Sequence, residues 1–504
     1  MSRTAVAAPT STFLETDHAA ASAQSERRWI LAMGAMVVLQ LWFGMIATSF
    51  WLDETGTWWI VKDGPGEAIQ RAFSWSGQSP LFYLIEWAAG RLFGLNEISL
   101  RIPSVLAMAA ATFFLYRIAE RLYDRASAPV VAFVFLCAAS FFAVDARPYA
   151  LAILCLTVAT WALLRWLDSA RPTDCVLFIA AGALTVYSHC ILSLGLAGGI
   201  IYGVAVLWRQ RKRLAHLILM VLAIAVICLP LMPELLRFYA TRSSHTFSAR
   251  PGAGELLTGL IPGSLAGALV LIVWIWMAFR GDTGQRGKFT RQTMLLIGSW
   301  ALFAPLFLAL LSAGTDIHLF VSRYYSSALP GQALLIGALL SSIRPSAVRK
   351  LLLVALAAMS IFGQGRLTLR SHGNEDWSAA MEFVRHEAGS QAPVLLVSGF
   401  AEAADFADLR KPALRDILFA PELIYGEPAR SIRLPRGFTA RDTADMEAVV
   451  RQIENEPRFY LLTENPDRGY ENWLAGRLAS RCGSGPMEQT FGYIWVTRFV
   501  CEKK

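Results

Sequence analysis

The run Trp29-Ile30-Leu31 through Ala47-Thr48-Ser49-Phe50-Trp51, followed at once by Leu52-Asp53-Glu54-Thr55, sets the reading of the whole chain. Residues 29–51 contain no charge. A helix of about 20 apolar residues crosses a bilayer core, so this run is long enough to span. A cleaved signal peptide is the rival reading, but its apolar core is only about 7–15 residues. The run therefore reads as a retained anchor. Glu26-Arg27-Arg28 precedes it, and the Ala/Ser/Thr-rich residues 1–28 read as a disordered cytoplasmic N-terminus. Two carboxylates at the far rim are costly there, so Asp53 and Glu54 either mark a helix end or belong to a site.

Working outward, the composition agrees with the opening run. The chain has 504 residues, of which 55% are apolar and 17% charged. An ordinary soluble protein has roughly 45–50% apolar and about 25% charged residues. A net charge of +8 raises the question of nucleic acid. The Arg and Lys residues cluster instead in short segments between apolar runs, as cytoplasmic loops do, so no nucleic-acid partner is expected.

Apolar runs fall near 29–51, 98–119, 127–144, 148–167, 174–190, 191–208, 214–233, 263–279, 292–312, 323–343 and 347–365, about eleven in all. Alternate loops carry Arg27-Arg28, Arg121 with Arg125, Arg165 with Arg171, Arg209 to Arg213, Arg280 to Arg291, and Arg344 with Arg349-Lys350. These share one side if the N-terminus is cytoplasmic. Loops 52–97, 145–147, 234–262 and 313–322 then face outward, and an odd count sends the region from about 366 outward too. Within the first outer loop, Ser79-Pro80 supplies an N-cap and first helical position. A short helix to Gly94 should lie in the interface, with Glu86 and Arg91 towards water.

From about residue 372 the apolar runs shrink to strand length, at 394–397, 459–462 and 494–496. Helical patterns intervene at 377–386 and 443–453. This reads as a small soluble α/β domain over 366–504. Cys482 and Cys501 are its only cysteines, and an oxidising outer face would let them pair. The other five cysteines show no ligand spacing and read as packing.

Ionisable residues are sparse within the apolar runs and collect at their outer ends. Asp53 and Glu54 follow the first run. Asp145-Ala146-Arg147-Pro148-Tyr149 joins the third and fourth, His189 closes the fifth, and Arg323-Tyr324 opens the tenth. A transporter would place such groups nearer the midplane. His189 on an apolar run reads first as a hydrogen-bonded packing residue, with catalysis or metal binding as the alternative. Arg323 sits against the positive-inside trend, which favours an anionic partner such as a lipid phosphate. The soluble region has no Walker phosphate loop, no Gly-x-Gly-x-x-Gly, no His-Glu-x-x-His and no paired-Cys zinc signature.

Several of these segments resemble polytopic glycosyltransferases that use lipid-phosphate sugars. The family is glycosyltransferase family 39 with its bacterial relatives; the protein O-mannosyltransferases and the lipid A aminoarabinose transferase are more distant. Leu52-Asp53-Glu54-Thr55 is similar to the family's acidic motif, and Gln78-Ser79-Pro80-Leu81-Phe82-Tyr83 to its His-Pro-Pro-Leu-Tyr-Tyr segment. Asn96 to Ser104 resembles the start of its second span. Asp145-Ala146-Arg147-Pro148-Tyr149 resembles its acidic-Ala-Arg-x-Tyr motif, and Ser322-Arg323-Tyr324-Tyr325 through Leu329-Pro330 a later Arg-Tyr motif. Gln78 stands where many relatives have His.

The resemblance implies a GT-C-like membrane domain over 29–365 in a bacterial inner membrane, the soluble domain periplasmic. It implies inverting transfer from a polyprenyl-phosphate sugar to a hydroxyl of a glycan, lipid or protein acceptor. An oligosaccharyltransferase or glycan ligase, and a non-enzymatic lipid-glycan transporter, are the alternatives. Asp53 is the expected base, with Glu54 and Asp145 positioning the acceptor, orienting an arginine or holding a divalent cation. Arg147, Tyr149, Arg323 and Tyr324 are the expected phosphate partners, and Gln78 and His189 the supporting residues. A metal stays open, since no ligand spacing demands one.

Overall fold

The computed structural model describes residues 11–76, 79–240, 250–261, 264–284, 290–368, 374–412, 414, 416–437, 442–464, 468–482 and 487–502. Gln78 lies outside the described residues. Helices dominate the first three quarters, as the apolar runs require. Among the described residues, five helices are long and apolar enough to cross a membrane: Glu97–Leu122, Tyr149–Ser169, Arg211–Arg237, Arg291–Gly314 and Ser346–Gly363. Four shorter apolar helices, Ala128–Ala138, Pro172–Ser188, Ile191–Leu207 and Leu265–Phe279, accompany them. The expected count of eleven is not reproduced helix for helix.

The first helix, Ser11–Val37, begins inside the stretch read as disordered and continues as a π-helical segment, Val38–Phe43. Arg349 clips it from Ser346–Thr368: its Nε and Nη2 donate to the two Glu26 carboxylate oxygens at 2.6 and 2.7 Å. Close helix packing elsewhere depends on small residues, because lipid offers no hydrophobic drive between helices. A Cβ on Gly198 would sit 2.6 Å from the Trp300 Cα, so only glycine lets these two backbones approach.

Between the first helix and Glu97–Leu122 come Leu52–Val61, Pro65–Arg71 and Leu81–Phe93. The last is the expected short helix, and Arg91 is exposed on it. Glu86 is not: it is fully buried, and neither carboxylate oxygen has a hydrogen-bond partner among the described residues. Burial pushes its carboxyl well above the usual range, and the nearby Glu54 and Asp145 push the same way. Expecting it towards water took charge as a proxy for exposure; a neutral acid pays far less to be buried.

The C-terminal region forms a five-stranded sheet in the order β2-β1-β3-β5-β4. The strands are β1 (Val394–Val397), β2 (Ser431–Leu434), β3 (Arg458–Glu464), β4 (Met487–Phe491) and β5 (Ile494–Val500). β1 runs parallel to β2 and β3, whereas β5 is antiparallel to β3 and β4. The three apolar runs became the three central strands. The two edge strands carry charge and polar side chains, which protect an edge but erase the strand signal. Cys482 and Cys501 form a disulfide.

This sheet does not stand apart from the membrane half. One apolar core combines Phe50, Leu52, Trp59 and Phe82 with Trp377, Phe400, Leu418, Ile494 and Val496. Glu464 lies at that junction with its Oε2 unpartnered among the described residues, and burial, opposed by Arg436, pushes its carboxyl up to about 7. An acid whose pKa rises on folding binds more protons folded than unfolded, so stability is full below the ordinary carboxylate range and is lost as pH rises. The thermal midpoint in detergent should therefore fall from the ordinary range up to about pH 7. Glu464→Gln should flatten that slope.

Candidate active site

Asp53 sits in the first turn of Leu52–Val61, and the elements around it explain its surroundings. Trp51 is extended (φ −84°, ψ 168°) and ends the run from the first helix. Acidic residues in a first turn meet the positive end of the helix dipole. Successive helical residues point about 100° apart, so Asp53 and Glu54 face different partners.

Glu54 turns inward and is fully buried. Its Oε1 accepts from Arg101 Nε at 2.8 Å and from the Ala146 amide at 2.7 Å. Its Oε2 accepts from Arg101 Nη2 at 2.5 Å and from the Trp51 amide at 3.3 Å. Arg101, also fully buried, sits early in Glu97–Leu122, whose start is capped by Asn96 Oδ1 accepting from the Ser99 amide at 3.0 Å. Its Nη1 donates to the carbonyls of Met45, Ile46 and Thr48, and its Nη2 to that of Ser49. The pair thus staples the end of the first run, the helix of Asp53 and the 145–147 loop together. Arg101 falls in the Asn96 to Ser104 segment, where the sequence assigns it no role. A charge inside an apolar run was the signal that it needed a buried partner.

Asp145 is buried in the same layer, its Oδ1 accepting from Trp51 Nε1 at 3.1 Å. One turn beyond Arg101 on the same helix face, Ser104 Oγ donates to the Asp145 carbonyl at 2.6 Å. That carbonyl also accepts from the Arg147 amide at 2.7 Å, a tight turn that reverses the chain before Tyr149–Ser169.

Asp53 turns the other way. Its Oδ2 accepts from Arg323 Nη1 at 3.1 Å, with the two side chains 25% and 21% exposed. Arg147 Nη1 donates to the Asp53 carbonyl at 3.3 Å, and Arg147 Nε is buried without a partner among the described residues. Around these groups stand three rings: Tyr149 and His189 have centroids 5.2 Å apart, and His189 and Tyr324 6.0 Å. The Arg323 guanidinium lies over the Tyr324 ring at 5.5 Å. His189 occupies an extended break after Pro172–Ser188, and neither ring nitrogen has a partner among the described residues. The structure thus brings Asp53, Arg147, Tyr149, His189, Arg323 and Tyr324 together, although they come from four separate segments. Glu54 and Asp145 form the layer beneath.

A cavity of about 720 Å³ opens beside this cluster. Arg323 and Trp51 line it with apolar side chains that include Val134, Phe141, Leu265 and Leu356. The lining thus joins one cationic side chain to a mostly apolar wall, which suits an amphiphile with an anionic head. Among the described residues, no group of three or more His, Cys, Asp or Glu side chains is arranged to hold a metal ion.

Residues 77–235 match the family model of dolichyl-phosphate-mannose-protein mannosyltransferases. The matched segment carries Asp145, Arg147, Tyr149 and His189, while Asp53 and Arg323 fall outside it. A search of curated proteins finds no match. Among solved structures, apo ArnT from Cupriavidus metallidurans superposes with a TM-score of 0.57 at 14% identity, covering 94% of this chain and 98% of that one. The same protein bound to undecaprenyl phosphate gives 0.54 at 15% identity, covering 93% and 98%. The oligosaccharyltransferase of Archaeoglobus fulgidus gives 0.45 at 14%, covering 92% and 72%. The chain is a membrane protein with the GT-C glycosyltransferase fold.

Proposed function

We propose that this GT-C chain moves a sugar from a polyprenyl-phosphate donor to an acceptor hydroxyl at the outer face of a bacterial cytoplasmic membrane, with inversion. The observation that carries the reading is the meeting of one carboxylate with two guanidiniums, one of which, Arg323, lines a largely apolar cavity. The family match and the undecaprenyl phosphate bound by a protein of the same fold support it. The disulfide supports an oxidising compartment for the sheet domain.

In this reading the lipid tail lies in the cavity and its phosphate meets Arg323 and Arg147. Guanidinium forks can bond two phosphate oxygens at once. Asp53 now neutralises Arg323; an arriving phosphate competes for that guanidinium and leaves the carboxylate free to accept a proton. The acceptor oxygen gives its proton to Asp53 as it attacks the anomeric carbon, and the sugar–phosphate bond breaks. The negative charge growing on the leaving phosphate is stabilised by guanidiniums already in place. His189 has ring nitrogens to spare for the phosphate or sugar, and Tyr149 and Tyr324 frame it. Glu54 and Asp145 act by holding the loops that carry Asp53 and Arg147.

Purified protein incubated with a sugar-loaded polyprenyl phosphate should release lipid phosphate only when acceptor is added. Release that ignores acceptor, or none with any hydroxyl acceptor tried, overturns the transferase reading. Arg323→Ala should raise the donor KM by roughly 10–100-fold, since a charged hydrogen bond is worth about 1.5–3 kcal/mol. Unchanged donor affinity would remove Arg323 from the phosphate site.

A further inference from the structure

The residues immediately before Asp53 are held from two sides: Arg101, Glu54 and Asp145 bond Thr48, Ser49 and Trp51 from the membrane half, and the sheet domain bonds them from the other. Glu375 Oε2 accepts from the Leu52 amide at 2.7 Å. The Tyr425 hydroxyl accepts from the Phe50 amide at 2.8 Å and donates to Glu97 Oε1 at 2.9 Å. The Ser378 amide donates to Ser49 Oγ at 3.2 Å. Three residues of one domain thus take hold of three of the four positions that lead into the helix. Leu52 is the first residue of that helix, so its amide has no acceptor within it. A carboxyl supplied from another domain fills that vacancy one residue from Asp53.

Glu375 is itself fixed. It is 6% exposed, and Trp377 Nε1 donates to the same Oε2 at 3.1 Å. The flanking backbone pairs with the turn between β4 and β5: the Tyr493 amide donates to the Asn374 carbonyl at 2.7 Å, and the Asp376 amide to that of Phe491 at 3.3 Å. Gly492 in that turn has φ +68°, and a Cβ on it would sit 1.9 Å from the Asn374 oxygen. Only glycine lets the turn come so close, so the sheet's last hairpin sets where Glu375 stands. The face of Glu375 carries other charges, with Glu464 and Asp53 nearby and Arg436 beyond Glu464.

We infer that Glu375 is a positioning residue for Asp53: the sheet domain places the start of the Leu52–Val61 helix, and so the orientation of the Asp53 carboxylate, through the Leu52 amide. The inference rests on Asp53 being the base. Its geometry is readable without turnover. What the clamp needs from Glu375 is an acceptor oxygen, which a glutamine amide also offers.

The test compares Glu375→Ala with Glu375→Gln in the full chain. Hydrogen exchange of the peptide covering Leu52–Thr55 is measured beside transfer kinetics. In Glu375→Ala, exchange there should quicken by about tenfold or more, because an amide that loses its acceptor meets water more often. The same variant should lose about tenfold or more in kcat with its donor KM little changed, since a small misplacement of a reacting group is costly. Glu375→Gln should restore both. Tyr425→Phe, which removes the acceptor of the Phe50 amide together with the hydrogen bond to Glu97, should loosen the same peptide if Glu375→Ala does not fold. Exchange unchanged in the folded variants overturns the clamp. So does a donor KM that rises in step with the kcat loss, or a Gln variant as impaired as Ala. A loosened peptide in a Glu375→Ala protein whose kcat is unchanged points instead to failure of the base assignment.

Discussion

Asp53→Asn is expected to lower kcat by roughly 10²–10⁴-fold, the usual contribution of a positioned general base. The substitution is isosteric, and the asparagine oxygen can still accept from Arg323. What it cannot do is take the proton of the attacking hydroxyl. Donor binding should be unchanged or tighter, because Arg323 would no longer be neutralised by a carboxylate at 3.1 Å. The variant should insert and migrate as wild type, since Asp53 is partly exposed and takes no part in the Glu54–Arg101 staple. Transfer kinetics with saturating donor and acceptor, run beside size-exclusion chromatography in detergent, read all three expectations. Wild-type turnover removes Asp53 from the reaction.

The second large effect falls on the adjacent residue and is of another kind. Glu54→Gln leaves the Arg101 guanidinium charged at 0% exposure without its counter-charge. Removing one partner of a buried ion pair costs about 3–5 kcal/mol. Arg101 also satisfies four backbone carbonyls, so the damage should spread to the chain from Met45 to Ser49. The expected result is a marked fall in thermal midpoint and membrane yield, with activity lost in proportion to folded protein. Combining it with Arg101→Met should recover part of the loss, because no uncompensated charge then remains. A Glu54→Gln protein as stable as wild type would show that the staple carries no weight. Two neighbouring carboxylates are thus separated by experiment: one variant stays folded and inactive, the other fails to fold.

The apolar runs made the helical class legible, because a bilayer imposes length and composition on any segment that crosses it. The three central strands were legible for a related reason: buried strands are apolar without interruption. Harder to read were edge strands such as Ser431–Leu434, whose Arg433 hides the pattern. Much of the candidate cluster was visible because ionisable residues at the ends of apolar runs are expensive. What the sequence could not supply was pairing. Nothing in the segments around Glu54 and Arg101 says that they meet. Glu86 was misplaced because its burial depends on protonation, which composition does not reveal. Glu375 and Tyr425 carried no signal at all: an acid and a tyrosine in a soluble domain are ordinary until a foreign helix end is seen resting on them. Gln78 lies outside the described residues, and its part stays as the resemblance left it.

The core shared by the two halves has a consequence for how the protein is made. Ile494 and Val496 pack in one cluster with Phe50 and Leu52, so the first and last parts of the chain meet there. Chains emerge from the ribosome N-terminus first, and domains usually fold as they appear. Here the segment bearing Asp53 is synthesised early but finds its final packing partners only when the last strand has emerged. A nascent or truncated chain would sit in the membrane with its helices inserted and its carboxylate unset. Setting the Asp53 segment is thus a late event in folding, one that waits for β5 to join the shared core.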